Sequence, residues 1–174
     1  MSTAAEERAR TPSESGVDAH IYKVFPNDMN ANATVFGGMI MATVDRICLV
    51  VAERHSGRVC VTASVDDVHF MAPARTGDTL IFSAACNRAW DSSMEIGCRV
   101  IAEDSYRRES RHVVSAYSTF VALDADGHPA TVPPLTPETE AERARHAEAG
   151  LRRETRLAHA ERVRARRGGA ATRG

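Results

Sequence analysis

Asparagine, glycine and aspartate are grouped in one short stretch of this 174-residue chain in a way that could hold a carbonyl oxygen or an anion near a carboxylate. Asn30-Ala31-Asn32-Ala33-Thr34-Val35-Phe36-Gly37-Gly38 runs into an apolar segment that carries Asp45. Two glycines at a helix start remove side chains where the first N–H groups lack an intrahelical partner. A carbonyl oxygen or an anion could then approach those groups closely, with the helix dipole assisting. Gly37-Gly38 also fits a tight loop-to-helix turn with no further role, and alone the pair favours that simpler reading. Asp45 follows Gly38 by seven residues, about two helical turns, among Val44, Ile47 and Cys48. Aspartate is a poor helix former and is seldom buried without a partner. The adjacent Arg46 is a poor candidate, because neighbouring helix residues do not face one another. A partly desolvated carboxylate beside a glycine-lined helix start fits a general base, since burial raises its proton affinity. A solvated or ion-paired aspartate fits the same spacing, so spacing alone leaves both readings open.

The elements that must position these groups lie in residues 19–137. Ala19 to Phe25 reads as a first strand and the asparagine-rich segment 27–34 as a polar loop. From Gly37 to about His55 the apolar residues occupy nearly every face, which predicts a helix buried all round. Segments 59–70, 79–90, 93–102 and 112–123 are rich in β-branched or aromatic residues and bounded by turn signals. With no helical pattern between them they should pair antiparallel, giving an α+β layer of one long helix and a curved sheet. One short sheet leaves edges and apolar surface uncovered, so oligomerisation is expected on physical grounds.

Residues 1–18 lack aromatics, leucine and isoleucine and read as a disordered leader. Residues 138–174 form a tail with ten arginines against six glutamates and few large apolar residues. A loosely docked or partly disordered helix ending at Gly168-Gly169 is expected there, and removal beyond Thr139 should preserve fold and chemistry. The interleaved glutamates favour a solvated helix over a nucleic-acid-binding arm, so no nucleic-acid partner is expected. The longest apolar run, Ile47 to Ala52, has six residues, far short of the roughly 20 that span a membrane. The first 16 residues have no signal-peptide pattern. Cys48, Cys60, Cys86 and Cys98 show no metal-ligand spacing and read as reduced thiols of a cytoplasmic protein. No metal is expected.

Residues 30–38 with Asp45 resemble the signature of the hot-dog-fold acyl-CoA thioesterases of the YciA and cytosolic acyl-CoA hydrolase group. Val61-Thr62-Ala63-Ser64-Val65-Asp66, Phe70-Met71-Ala72-Pro73, Gly77-Asp78, Ser92-Ser93-Met94-Glu95, Ser115 to Asp124 and Val132-Pro133-Pro134-Leu135 agree in order and spacing. The resemblance covers about Ile21 to Thr139. It implies a hot-dog fold, a long central helix wrapped by a curved antiparallel sheet, that pairs into a double hot-dog dimer and further into a trimer of dimers. It implies hydrolysis of acyl-CoA to a free carboxylic acid and CoA, with no cofactor beyond the CoA of the substrate. By the same resemblance Asp45 acts as general base, or alternatively as nucleophile, and Asn30 of the opposite subunit positions the water or the thioester. The Gly37 and Gly38 N–H groups hold the oxyanion. Phe36, Ser92, Ser93 and Met94 contact the acyl-CoA, and Arg75 and Arg88 are candidates for its phosphates on guanidinium chemistry, although a solvated surface charge fits each arginine as well. Two other functions compete: a hydratase or dehydratase on the same fold, and a non-catalytic acyl-CoA-binding regulator.

Overall fold

The computed structural model describes residues 8–171. In chain order the elements are α1 (Pro12–Ser15), β1 (Val17–Lys23), a 3-10 turn (Pro26–Asp28), α2 (Gly37–Ser56), β2 (Val59–Phe70), β3 (Thr79–Ala89), β4 (Ser93–Asp104), β5 (Glu109–Leu123) and α3 (Glu140–Ala171). The strands form one sheet in the order β1-β3-β4-β5-β2, with every neighbouring pair antiparallel. The expected strands and central helix are present, with ends shifted by a few residues. β5 starts earlier than expected because Arg108, at φ 56°, closes a tight hairpin before it.

Strand pleating sets the two faces of the sheet. Leu80, Phe82, Ala84 and Cys86 of β3 are buried, and so are Met94, Ile96, Cys98 and Val100 of β4. This face receives α2, which presents Ile40, Val44, Ile47, Cys48, Val51 and Ala52. Burying a side chain such as Phe82 or Ile40 contributes roughly 1.5–3 kcal/mol. Gly57, at φ 67°, ends the helix in the left-handed region and donates its N–H to Glu53 O (2.8 Å).

Three expectations are corrected. α2 is not buried all round: Met41 and Val50 are 45% and 40% exposed, because one sheet covers only one side of a helix. The leader is not disordered throughout. Residues 10–16 are ordered, with Thr11 and Pro12 opening α1 and Glu14 Oε2 accepting the Thr11 N–H (2.7 Å). Arg10 bridges to Leu135 through two backbone hydrogen bonds, and residues 1–7 of the expected leader lie outside the described residues. The tail is a single helix that runs past Gly168-Gly169 to Ala171, and it is firmly docked. It lies on the sheet face opposite α2, where Arg152 grips the fully buried Glu95 with two hydrogen bonds (3.0 and 2.7 Å). Arg152 also stacks on Tyr117 (3.8 Å) and Arg153 on Trp90 (4.5 Å), while Arg156 pairs with Asp66. Among the described residues, no helix is long and apolar enough to cross a membrane.

Candidate active site

The asparagine-rich loop is built around Asn30. Its Oδ1 accepts the N–H groups of Asn32 (2.8 Å) and Thr34 (3.3 Å), and its Nδ2 donates to Thr34 Oγ1 (2.9 Å). Ala33 takes a left-handed φ of 54° at the bend. Val35 N–H to Ala74 O and Phe36 N–H to Asp28 O, both 2.8 Å, moor the loop where α2 begins. Asn30, Thr34, Gly37, Ile40, Phe70 and Ala74 are among the walls of a cleft of about 400 Å³.

Side chains crowd both glycines at the helix start. A Cβ on Gly38 would stand 2.4 Å from the Phe36 ring, and one on Gly37 would stand 3.3 Å from Phe70. Phe36 O accepts the N–H groups of Met39 (3.0 Å) and Ile40 (3.5 Å). Gly37 and Gly38 stand at the first helical positions, where an N–H has no intrahelical acceptor.

Asp45 sits two turns along α2, half-buried. Its Oδ1 accepts a hydrogen bond from Thr62 Oγ1 of β2 (2.8 Å). It opens on a narrow recess walled by Met41, Val44, Val65, Val68 and Ser118, about 20 Å³ in volume. That is room for about one water molecule. Asn30 and Asp45 are not brought together within the chain. Their polar atoms bond to different partners, and Ile40 is the side chain common to both recesses. Thr62 was assigned no role from sequence. The signal that finds it is a β-branched hydroxyl on the strand face turned toward α2.

The expected CoA contacts divide. Arg75 is exposed, one residue beyond Ala74 of the Asn30 cleft, and its N–H donates to Asp78 Oδ2 (2.6 Å). Ser92 lies in the β3–β4 turn and Ser93 opens β4, with their carbonyls accepting the N–H groups of Ala122 (3.0 Å) and Trp90 (2.8 Å). Met94 is corrected: it is fully buried in the core opposite Phe120, beyond reach of a ligand. Arg88 is corrected as well, since its guanidinium lies over Trp90 and donates to His146 O (3.4 Å) of α3. Tail docking, not an open surface, occupies it.

Cysteine chemistry finds no support here. All four thiols are buried. The hydrogen bond with Cys98 pushes the Cys48 thiol up, and burial does the same for Cys60 and Cys86. Thiolate, the nucleophilic form, is thereby disfavoured.

A family model described as the thioesterase superfamily matches residues 32–108. The acyl-CoA thioester hydrolase YkhA of Bacillus subtilis, described as uncharacterized, is 40% identical over 120 residues, 69% of this chain and 70% of that protein. The chain belongs to the hot-dog acyl-CoA thioester hydrolases. Among solved structures, the acyl-CoA hydrolase of Staphylococcus aureus in complex with butyryl coenzyme A superposes with a TM-score of 0.86 at 36% identity. The match covers 94% of this chain and 99% of that one. A hexameric acyl-CoA thioesterase matches with a TM-score of 0.85 at 31% identity, covering 88% of this chain and 97% of the other. The Staphylococcus aureus hydrolase has also been solved with an asparagine, an aspartate or a threonine replaced by alanine. Those positions are fifteen and seventeen residues apart. Within this family member, Asn30, Asp45 and Thr62 have the same two spacings.

Proposed function

We propose that the protein hydrolyses acyl-CoA to a carboxylic acid and CoA at a site completed by a second copy of the chain. The observation that carries this reading is the Asp45 carboxylate, oriented by Thr62, beside a recess the size of a water molecule and two turns from a glycine helix start. Asp45 takes a proton from water as the water oxygen attacks the thioester carbonyl carbon. The Gly37 and Gly38 N–H groups stabilise the oxyanion, a contribution worth roughly 10²–10³ in rate per donor in other hydrolases. Collapse of the tetrahedral intermediate breaks the C–S bond, and CoA departs as thiolate. Thiolate is a good leaving group, so the step needs no dedicated general acid. Among the described residues of this chain, the lining of the Asp45 recess offers a carboxylate and a hydroxyl, Asp45 and Ser118, which favours attack by water.

Asn30 of the second copy positions the water or the thioester. Two features favour that arrangement. Asn30 and Asp45 open on different recesses, and edge strand β2 leaves Val61, Val65 and Phe70 exposed beside Met41 and Val50 of α2. A second copy covers this surface in a dimer, and dimers assemble as a trimer, in keeping with the hexameric relative. Arg75, Ser92 and Ser93 supply cationic and hydroxyl contacts to the phosphates of CoA.

Replacing Asp45 tests the chemistry: D45N should fold and assemble normally while kcat falls at least about a hundredfold. Near wild-type kcat overturns the assignment. Co-assembly tests the sharing. Mixed dimers of N30A and D45N chains rebuild one intact site of two and should regain activity that neither variant has alone. No gain after verified subunit exchange would place both residues in one chain.

A further inference from the structure

Strand β2 holds three side chains toward α2 at a spacing of three, which a regular strand cannot do. Thr62, Val65 and Val68 lie opposite Phe120, Ser118 and Ala116 of β5, all on the α2 side. Strict alternation would turn Val65 to the other face. Two bulges resolve the conflict. Thr62 and Ser64 oppose the adjacent residues Phe120 and Thr119, and Val65 and Asp67 oppose Ser118 and Tyr117, so Ala63 and Asp66 are the extra residues. The doubled bulge brings Thr62 onto Asp45 and sets Val65 and Val68 in the wall of the recess.

A bulge interrupts the backbone ladder, and within the chain β2 is an edge strand with β5 as its one neighbour in the sheet. Side chains supply the restraint. Asp66 Oδ1 accepts from Ser64 Oγ (2.7 Å), and Oδ2 accepts from Thr119 Oγ1 (3.0 Å) and from Arg156 of α3. Arg156 Nη1 also reaches Thr119 Oγ1 (2.7 Å). The Asp66 side chain is 7% exposed in this arrangement, a well-shielded carboxylate at the second bulge.

We propose that Asp66 and Arg156 are positioning residues for the hydrolysis: α3, through this ion pair, braces the doubled bulge that aims Thr62 at Asp45. The inference rests on the role given to Asp45 above. Small misplacements of a reacting group cost rate more than binding. D66N, with the oligomer intact, should therefore lower kcat about tenfold with KM within about twofold. R156A should do the same, and R156K should retain most of the activity. A double-mutant cycle separates positioning from general stability. Added to T62V, D66N should cost nothing further, because the brace acts through Thr62. Multiplicative losses, or wild-type kcat in D66N and R156A, overturn the inference. If D66N does not fold, R156A takes its place in the cycle. If D45N loses turnover while D66N and R156A keep it, the brace alone is wrong. If D45N keeps turnover, the catalytic reading falls and the brace falls with it.

Discussion

α2 meets the sheet with Ile40, Val44, Ile47, Cys48 and Val51, whereas α3 meets the opposite face with Arg152, Arg153 and Arg156. The first contact is non-directional and tolerates repacking. The second depends on placed carboxylates and aromatic rings: Glu95, Asp66, Tyr117 and Trp90. Arg152 shows the balance of effects. Burial opposes its charge, yet the hydrogen bonds and charge of Glu95 outweigh burial and hold its pKa above the ordinary value. Asn87 Nδ2 adds a further hydrogen bond to Glu95 Oε1 (3.0 Å). A helix with few large apolar residues thus docks as firmly as geometry allows, and it is brittle where the apolar helix is tolerant.

Breaking one partner should expose that brittleness. R152A leaves Glu95 buried without its counter-charge and should destabilise the fold by about 3–5 kcal/mol in chemical denaturation. Replacing both residues by leucine should recover most of that loss, which an additive contact could not do. For the same reason, truncation after Thr139 is now expected to lower stability. On the α2 side, I47A should cost about 2–4 kcal/mol through the cavity it leaves, whereas the volume-conserving I47L should cost less than about 1.5 kcal/mol. The smallest expected effect comes from His146, whose pKa is lowered by burial and by Arg88. A folded pKa below the unfolded value means that the unfolded chain binds more protons as pH falls from above about 6.5. The contribution of His146 is therefore complete above that pH and is lost below it. H146Q should slightly flatten the fall in melting temperature between pH 7.5 and 5.5, by no more than about a degree.

The contrast between the helices also explains what the amino-acid sequence revealed. β3 and β4 announce themselves by alternation between turn signals, and α2 by its glycine start and apolar density. α3 announces only that it is a helix. Its partners Glu95 and Asp66 are 57 and 90 residues from Arg152 and Arg156, and no local pattern links them. The loop around Asn30, the helix start at Gly37-Gly38 and the place of Asp45 on α2 were readable as local structure because they lie within sixteen residues. Thr62 was not, because a strand read as strictly alternating hides two bulges. Thr11-Pro12-Ser13-Glu14 carried a readable capping signal inside a segment whose composition suggested disorder.

The buried thiols have a practical consequence. Every turnover would liberate one CoA sulfhydryl into solvent, while burial slows the reaction of Cys48, Cys60, Cys86 and Cys98 with a reagent in the native chain. Disulfide-exchange chromophores can therefore count product continuously in the presence of abundant enzyme. The same reagents become a clock for unfolding when substrate is omitted, since the full four equivalents of colour appear fastest once the core opens.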